Sequence, residues 1–114
     1  MKKIKIRVWD KKYGNMIYNI MNVDLKEMWF ALEIGDESRF VPMMNTCMKD
    51  YDNYEIYEGD ILSDVDDGRL SVIEYIDNAF CVVEEGVILS QPEQLEARVK
   101  IGNIYKNPEL KDKI

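Results

Sequence analysis

The sequence contains no histidine and only two cysteines. Histidine is the commonest general base near neutral pH, the usual activator of nucleophiles and the commonest zinc ligand, so its absence disfavours all three kinds of site. Cys47 and Cys81 are far apart in the sequence, with no CxxC pair. We therefore expect two free thiols in a reducing compartment, with neither a disulfide framework nor a zinc site.

Long apolar runs are also missing. The longest, such as residues 28–32, are far shorter than the roughly 20 residues that cross a bilayer. The basic start of the chain leads into alternating residues instead of an apolar signal core. We therefore expect a cytoplasmic protein with no membrane partner. Repeats and linkers rich in glycine, proline and serine are absent, so residues 1–114 are predicted to form a single domain.

Positive charge is in short supply: 15 lysines and arginines stand against 22 acidic residues, a formal net charge of −7. A molecule of this sign repels phosphate backbones, so no nucleic-acid partner is expected. One local exception consists of Lys2, Lys3, Lys5 and Arg7, in alternation with Ile4, Ile6 and Val8. Period two is typical of a strand with one buried face. We interpret the basic residues as its solvated outer face and not as a stripe that binds nucleic acid.

What the sequence does contain is a succession of predicted strands. They cover residues 4–9, 16–20, 40–44, 70–76, 79–84 and 99–105. A turn over residues 10–15 joins the first two, and Pro42 marks the third as an edge or irregular strand. Residues 23–34 fit either a capped helix or a strand, and we favour the strand. Residues 46–53 are predicted to be a polar loop.

The remaining turns and helices complete the predicted fold. Asp77-Asn78 suits a tight hairpin between two strands. Residues 90–93 form a capping box for a short helix that ends near Arg98, and Asn107-Pro108 predicts a final turn of helix. The expected fold is mainly β with one or two short helices. It is a small curled sheet or SH3-like barrel in the C-terminal half, packed on an N-terminal β-hairpin.

The stretch EIYEGDIL, residues 55–62, crowds three carboxylates around one glycine. Gly59-Asp60 suits a tight bend in which Asp60 accepts hydrogen bonds from nearby N–H groups, with Glu55 and Glu58 facing solvent. The alternative is a carboxylate pair, Glu58 with Asp60 or with Asp10, acting as acid and base or binding a divalent cation. Because acidic neighbours arise by chance among 22 acidic residues, we favour the bend.

The stretch DVDDG, residues 64–68, resembles a calcium-binding loop. It lacks the spacer between the second and third acidic ligands, and the twelfth position is Tyr75 where a bidentate glutamate is required. We interpret it as an acidic solvated loop that ends at Gly68. No metal and no cofactor are expected.

Aromatic side chains lie mostly in predicted strands, and most of them are expected in the core. They are Trp9, Trp29, Phe30, Tyr54, Tyr57, Tyr75, Phe80 and Tyr105. Trp9 falls on the face of the first strand opposite Ile6 and Val8. It is therefore either covered by another element or exposed as an anchor for a partner.

Three blocks of sequence together resemble the YopX family of phage and prophage proteins. They are IKIRVWDKKYGNMIY at residues 4–18, EIYEGDIL at 55–62 and VKIGNIYKNPEL at 99–110. The resemblance implies a small, mostly β protein encoded by mobile genetic elements, with no activity and no catalytic residues to carry over.

The resemblance also singles out two positions. The family usually has MQYTGLKD where this chain has MMNTCMKD at residues 43–50, so Cys47 replaces its usual glycine. If that glycine has a positive φ, Cys47 would be strained there. Asn53 falls where the family often has another glycine, and asparagine tolerates a positive φ well.

We therefore predict a protein that is not an enzyme. It is a small acidic interaction module encoded by a phage or prophage, acting in the bacterial cytoplasm on a protein partner or on a second copy of itself. Its acidity would suit a basic partner surface. The alternative is a small-ligand-binding or hydrolytic enzyme that uses Glu58 and Asp60 in a pocket. The candidate interaction residues are Trp9, Asp10, Tyr57, Glu58, Asp60, Asn103 and Tyr105.

Overall fold

A computed structural model describes residues 5–18, 39–89 and 97–114. The chain divides into two compact units, with the boundary between Met44 and Asn45. The strand predicted over residues 23–34 and the helix predicted from Ser90 lie outside the described ranges. The interpretation of the chain as a single domain remains a prediction.

The first unit contains a three-stranded antiparallel sheet. Strand β1 (Ile6–Asp10) pairs with β2 (Asn15–Ile17) on one side and with the first half of β3 (Phe40–Lys49) on the other. The predicted N-terminal hairpin is confirmed. Pro42 is in register with Val8. This half of β3 pairs with β1 and with no other strand that the structure describes, which is the edge position predicted for Pro42.

The prediction that Arg7 lies on a solvated face of β1 is wrong. Only Ile6, at the start of the strand, is exposed, and the four residues that follow it are all buried. Arg7 is fully buried, with its guanidinium 3.7 Å from the Met43 sulfur and 3.5 Å from the Tyr18 hydroxyl. A run of buried residues without alternation means that both faces of the strand are covered. The period-two interpretation had assumed that only one face was.

The second unit is built around a curled five-stranded antiparallel sheet, with the strand order β8-β7-β6-β5-β9. Its strands are β5 (Asp60–Asp64), β6 (Leu70–Ile76), β7 (Ala79–Glu84), β8 (Val87–Leu89) and β9 (Arg98–Asn103). The second half of β3 pairs with β4 (Glu55–Tyr57), and the short helix α1 (Pro108–Lys111) follows β9. A register shift between β5 and β9 forms a bulge, which bends the sheet. The predicted mainly β fold, with its curled C-terminal sheet, is confirmed.

Two tight turns define the hairpins of this sheet. Asp77 and Asn78 both have positive φ, 50° and 67°, as a type I′ turn requires, and β6 and β7 have the predicted bounds. Glu85 and Gly86 repeat this pattern with φ of 51° and 77°, and they lead into β8. The sequence interpretation did not include β8, which is only three residues long.

Strand β3 is longer than predicted, because residues 46–49 belong to it and not to a loop. The Thr46 hydroxyl donates to the Ile56 carbonyl at 2.8 Å and accepts the Met48 N–H at 3.1 Å. The bond to Ile56 extends the pairing of β3 with β4 through a polar stretch, and the bond from Met48 lies within β3. Cys47 has a φ of 66°, and the register shifts nearby, so the strand passes this point as a bulge.

The core of the second unit is largely aliphatic. One cluster of it is formed by Ile56, Leu62, Ile73 and Val82, with Met48 and Phe80 packed against it. Tyr54 and Tyr75 are exposed, so they are exceptions to the expectation that most of the aromatic side chains lie in the core. Tyr54 lies just before β4, and Tyr75 lies near the end of β6, where it contacts Phe80 edge to face at 5.0 Å. Trp29 and Phe30 lie outside the described residues.

Candidate functional site

Asp60 closes the bend between β4 and β5. It is the first residue of β5 and is fully buried. Its Oδ2 atom accepts a hydrogen bond from the Tyr57 N–H at 2.7 Å and lies 3.3 Å from the Lys100 ammonium. The Gly59 N–H donates to the Ile73 carbonyl at 2.8 Å, which fastens the bend to β6. The predicted role of Asp60 in a turn is confirmed.

Lys100, on β9, joins three parts of the second unit. Besides Asp60, its ammonium contacts the Glu55 carbonyl at 3.4 Å and lies 5.8 Å from the centre of the Tyr57 ring. The side chain is only 22% exposed. A charge in such a place is tolerated because it is paired and hydrogen-bonded, and removing its partner is costly. The ion pair therefore makes the β4–β5 bend depend on β9.

Asp50 fastens the turn between β3 and β4 to the same strand. Its carboxylate accepts the Tyr54 N–H and the Lys100 N–H, both at 2.8 Å. The Asp50 N–H in turn donates to the Tyr54 carbonyl at 2.9 Å. Asn53 takes the left-handed conformation within this turn, with a φ of 69°, as its residue type allows. The buried Asp50 side chain thus holds a closed loop against β9.

Asn103 ends β9 and organises the segment that follows it. Its side-chain oxygen accepts the N–H groups of Tyr105 at 3.0 Å and Lys106 at 2.8 Å, and its own N–H donates to the Asn107 side chain at 3.3 Å. A β-carbon on Gly102 would overlap that Asn107 oxygen. Glycine at this position therefore leaves room for the Asn107 side chain, and the final residues of the motif IGNIYKNPEL form α1 as predicted.

We call Asp50, Asp60, Lys100 and Asn103 the motif frame. The last three lie in sequence blocks that resemble a known family, and Asp50 is hydrogen-bonded to Lys100. The frame presents a turn, residues 50–54, that we call the tyrosine turn. Tyr51 and Tyr54 on this turn are 64% and 65% exposed. The Tyr51 N–H donates to the Arg98 carbonyl at 2.8 Å, so the backbone at both tyrosines is held while their rings face solvent. Rigidly presented tyrosines are typical of protein-binding loops.

The predicted interaction residues are distributed between the two units. Tyr57, Asp60 and Asn103 are buried in or beside the motif frame. Glu58 and Tyr105 are half-buried, so Glu58 does not face solvent fully, and neither does Glu55. Glu55 and Glu58 are thus only partly exposed, which is less than the predicted solvent-facing positions implied. Both belong to the β4–β5 region that Asp60 and Lys100 hold together.

Trp9 and Asp10 belong to the first unit and are also buried. Trp9 is 9% exposed, so it is covered, which was one of the two alternatives. Whether any of the seven residues binds a partner remains a prediction. Tyr51 and Tyr54 were missed, because Tyr51 was assigned to a polar loop and Tyr54 was grouped with aromatic residues that were mostly expected in the core. Two tyrosines within a short polar stretch were the signal that could have identified them.

Asp10 closes the turn between β1 and β2. Its carboxylate accepts the Lys12 N–H at 2.9 Å and forms two bonds with the Arg39 guanidinium, at 3.2 and 3.3 Å. Burial raises the pKa of Asp10, but the Arg39 and backbone hydrogen bonds outweigh it and hold the pKa below the ordinary value of 3.8. Arg39 also lies over the Phe40 ring, 4.5 Å from its centre. The side chain therefore has a structural role in this hairpin.

The acidic stretch at residues 64–68 forms the turn between β5 and β6. The Asp64 carboxylate accepts the N–H groups of Asp66 and Asp67, at 2.8 and 3.3 Å, and these bonds hold the pKa of Asp64 below 3.8. Gly68 follows with a φ of 74°. The interpretation as an acidic loop that ends at this glycine is confirmed. Within the described ranges, no three acidic or cysteine side chains are grouped as metal ligands would be.

Two further predictions concern the thiols and the membrane. Cys47 is exposed and Cys81 is buried, and both are free. The expectation that they form no disulfide is confirmed. In the parts of the chain that the structure describes, no helix has the length and apolar character needed to cross a membrane.

Comparisons with known proteins agree with this description. The sequence model of the family described as YopX protein matches residues 5–111. The crystal structure of protein EF1440 from Enterococcus faecalis has a similar fold, with a TM-score of 0.70 and 24% sequence identity over 96% of this chain and 99% of that one. At this identity, the likeness shows the fold alone. No curated protein is a significant match to the chain.

Proposed function

This chain belongs to the YopX family, and from that membership we propose that it is a protein-interaction module encoded by a phage or prophage. It acts in the cytoplasm of the bacterial host and binds a protein partner through the tyrosine turn. It performs no reaction of its own. The single observation that carries this proposal is the exposure of Tyr51 and Tyr54 on a backbone that the motif frame holds in place.

The energetic argument starts from the size and stiffness of these side chains. A tyrosine that becomes buried at an interface removes roughly 150–250 Å² from water. Because Tyr51 and Tyr54 are already about one-third buried, together they supply roughly 200–320 Å², about a third of the roughly 800 Å² that each partner contributes to a standard interface. The backbone of the turn is already ordered by hydrogen bonds from Asp50 and Arg98. Binding therefore costs little additional conformational entropy, which favours affinity.

Charge indicates the kind of partner. The chain carries a formal net charge of −7, and Asp52 is exposed between the two tyrosines. A partner with a basic rim around an apolar pocket would be attracted over a distance and would pair with this carboxylate at close range. We therefore expect a protein with a basic binding surface.

The alternative, a hydrolytic or ligand-binding enzyme that uses Glu58 and Asp60, has less support. A general acid or base has to come within hydrogen-bond distance of its substrate. Asp60 is fully buried, and its Oδ2 atom is engaged by the Tyr57 N–H and by Lys100. This geometry suits the positioning of a turn better than proton transfer to a substrate.

The test is affinity capture from phage-carrying host cells, followed by purification of the retained partner and calorimetric measurement of its Kd. The variant combines Tyr51→Ser and Tyr54→Ser. We expect a loss of affinity of about 100-fold or more, since tyrosine hot spots each contribute about 2 kcal/mol. The matched control is Tyr13→Ser, which removes a tyrosine that is 69% exposed on a different turn. It should leave the Kd unchanged.

Sedimentation equilibrium distinguishes the two kinds of partner. A concentration-dependent dimer that the double variant loses would identify the partner as a second copy of the chain. A double variant that folds normally and binds the captured partner with a Kd within about twofold of the unaltered chain would show that the tyrosine turn is not the binding surface.

A further inference from the structure

The outer edge of the five-stranded sheet is a second surface, made of residues other than those of the tyrosine turn. Strand β8 forms this edge and pairs only with β7 among the strands that the structure describes. Val87 and Ile88 on it are 58% and 52% exposed. Exposed apolar residues on an edge strand are a feature that proteins usually avoid, because such an edge pairs with other chains.

The hairpin geometry identifies which backbone groups point outward. Glu84 and Val87 flank the two-residue turn Glu85-Gly86 and are direct partners. In a two-residue hairpin this closing pair is hydrogen-bonded, and the pattern alternates along the strand. The N–H and C=O groups of Val87 and Leu89 therefore face β7. Those of Ile88 face away from β7, and no other strand that the structure describes pairs with them.

The three strands at this edge carry charge of one sign only. Residues 70–89, which make up β6, β7 and β8, contain no lysine and no arginine. Glu84 is paired with Arg98 at 3.3 Å and with Arg69 at 3.8 Å. The other acidic residues of this segment, Glu74, Asp77 and Glu85, are all exposed. A second copy of the same edge would bring like charges together, whereas a basic segment would be attracted.

The two faces of the sheet differ at this edge. By strand alternation, Ile88 shares a face with Val83 and Glu74, whereas Val87 shares the opposite face with Tyr75. Glu74 and Tyr75 are both exposed. Glu74 is two strands in from β8, so it would attract basic side chains on this face of an added strand over a distance, while their methylene stems cover Ile88. On the other face the added strand would place apolar side chains against Val87.

We infer that β8 accepts an extended segment of a partner protein in which lysine or arginine alternates with apolar residues, and that this segment is added to the sheet as a sixth strand. This inference goes beyond the proposed function, because it concerns different residues and a different mode of recognition. Either one can fail without the other.

The test uses the full chain, labelled with ¹⁵N, and a synthetic peptide of alternating valine and lysine as the probe. On binding, the Ile88 amide signal should shift and its hydrogen exchange should slow by about tenfold or more, because it gains a hydrogen-bond acceptor. The amides of Val87 and Leu89 already face β7 and should change less. Raising the ionic strength from about 0.01 to about 0.15 M shortens the Debye length from about 30 to about 8 Å, so affinity should fall about tenfold.

Two variants separate strand addition from general attraction of a basic peptide. Ile88→Pro removes the outward N–H and leaves the N–H groups that face β7, and proline is tolerated on sheet edges. It should abolish binding, whereas Ile88→Val should retain it. If Ile88→Pro lowers the thermal stability, the double variant Glu74→Gln and Glu85→Gln replaces it and should weaken binding severalfold.

Three results would overturn the inference. The first is undiminished binding by a folded Ile88→Pro variant, and the second is equal binding of a peptide in which glutamate replaces lysine. The third is protection of the Ile88 amide without peptide in a protein that sediments as a dimer, because β8 would then pair with itself. The double variant of Tyr51 and Tyr54 should bind the peptide normally, which keeps this test separate from that of the tyrosine turn.

Discussion

Replacing Cys47 with glycine should stabilise the protein. Cys47 lies in β3 with a φ of 66°, where the β-carbon of an L-residue crowds the backbone. Its side chain is exposed, so the substitution removes little buried area. The Cys47 N–H donates to the Asn45 side-chain oxygen at 2.6 Å. Glycine keeps this N–H and therefore the hydrogen bond. The change therefore acts almost entirely on backbone strain.

The expected magnitude is the difference between two opposing contributions. The left-handed conformation costs an L-residue about 1–2 kcal/mol, which glycine avoids. Glycine also has more conformational freedom in the unfolded chain, which lowers the gain in stability by about 0.5–1 kcal/mol. The free energy of unfolding should rise by about 0.5–1 kcal/mol. For a chain of this size that corresponds to an increase in Tm of about 2–6 °C.

The assay is urea unfolding at neutral pH with a reducing agent present. Cys47→Ser is the matched control, because it removes the thiol but keeps the β-carbon, and its stability should stay within about 0.5 kcal/mol of the unaltered chain. Cys47→Val should be less stable, since a branched side chain is more crowded at positive φ. If serine stabilises the protein as much as glycine does, the thiol and not the backbone is the cause, and the reasoning fails.

Three further predictions concern the motif frame and the first hairpin. Asp60→Asn should lower the free energy of urea unfolding by about 2–4 kcal/mol, because it leaves the ammonium of Lys100 without its paired charge, and adding Lys100→Met should recover part of the loss. Gly102→Ala should cost about 1–3 kcal/mol in the same assay through overlap with the Asn107 side chain, and an unchanged midpoint would contradict the described geometry. Because the folded pKa of Asp10 is below 3.8, its ionised form contributes stability above that pH that is lost as the pH falls through the folded pKa. The free energy of unfolding of Asp10→Asn should therefore depend less steeply on pH in the acid range than that of the unaltered chain. An equally steep dependence would refute this role.

The parts of the fold that could be predicted depend on short stretches of chain. Asp77-Asn78 was identified as a two-residue turn because both residue types tolerate positive φ, and the bounds of β6 and β7 followed from it. Asp60 was assigned to a bend for a similar local reason, since an aspartate beside a glycine can accept nearby N–H groups. The conditional expectation at Cys47 was also local and agrees with its φ of 66°.

The errors arose where burial depends on distant segments. Arg7 was assigned to a solvated face by its alternation with apolar neighbours, but β1 pairs with β2 on one side and β3 on the other and is covered on both faces. Residues 46–49 were taken for a loop because they are polar, although Thr46 bonds across to β4. Tyr54 was grouped with aromatic residues mostly expected in the core, whereas it is exposed on a turn.

The sequence by itself determined the family, the mainly β class, the two free thiols and most of the tight turns. These properties follow from residue types over a few neighbouring positions, where sterics and short hydrogen bonds restrict the backbone. Only the tertiary structure decided that Lys100 neutralises Asp60, that Asp50 holds Tyr51 and Tyr54 outward, and that β8 forms an edge with apolar side chains. Ion pairing and exposure depend on which distant strands become neighbours, and no short stretch of chain carries that information.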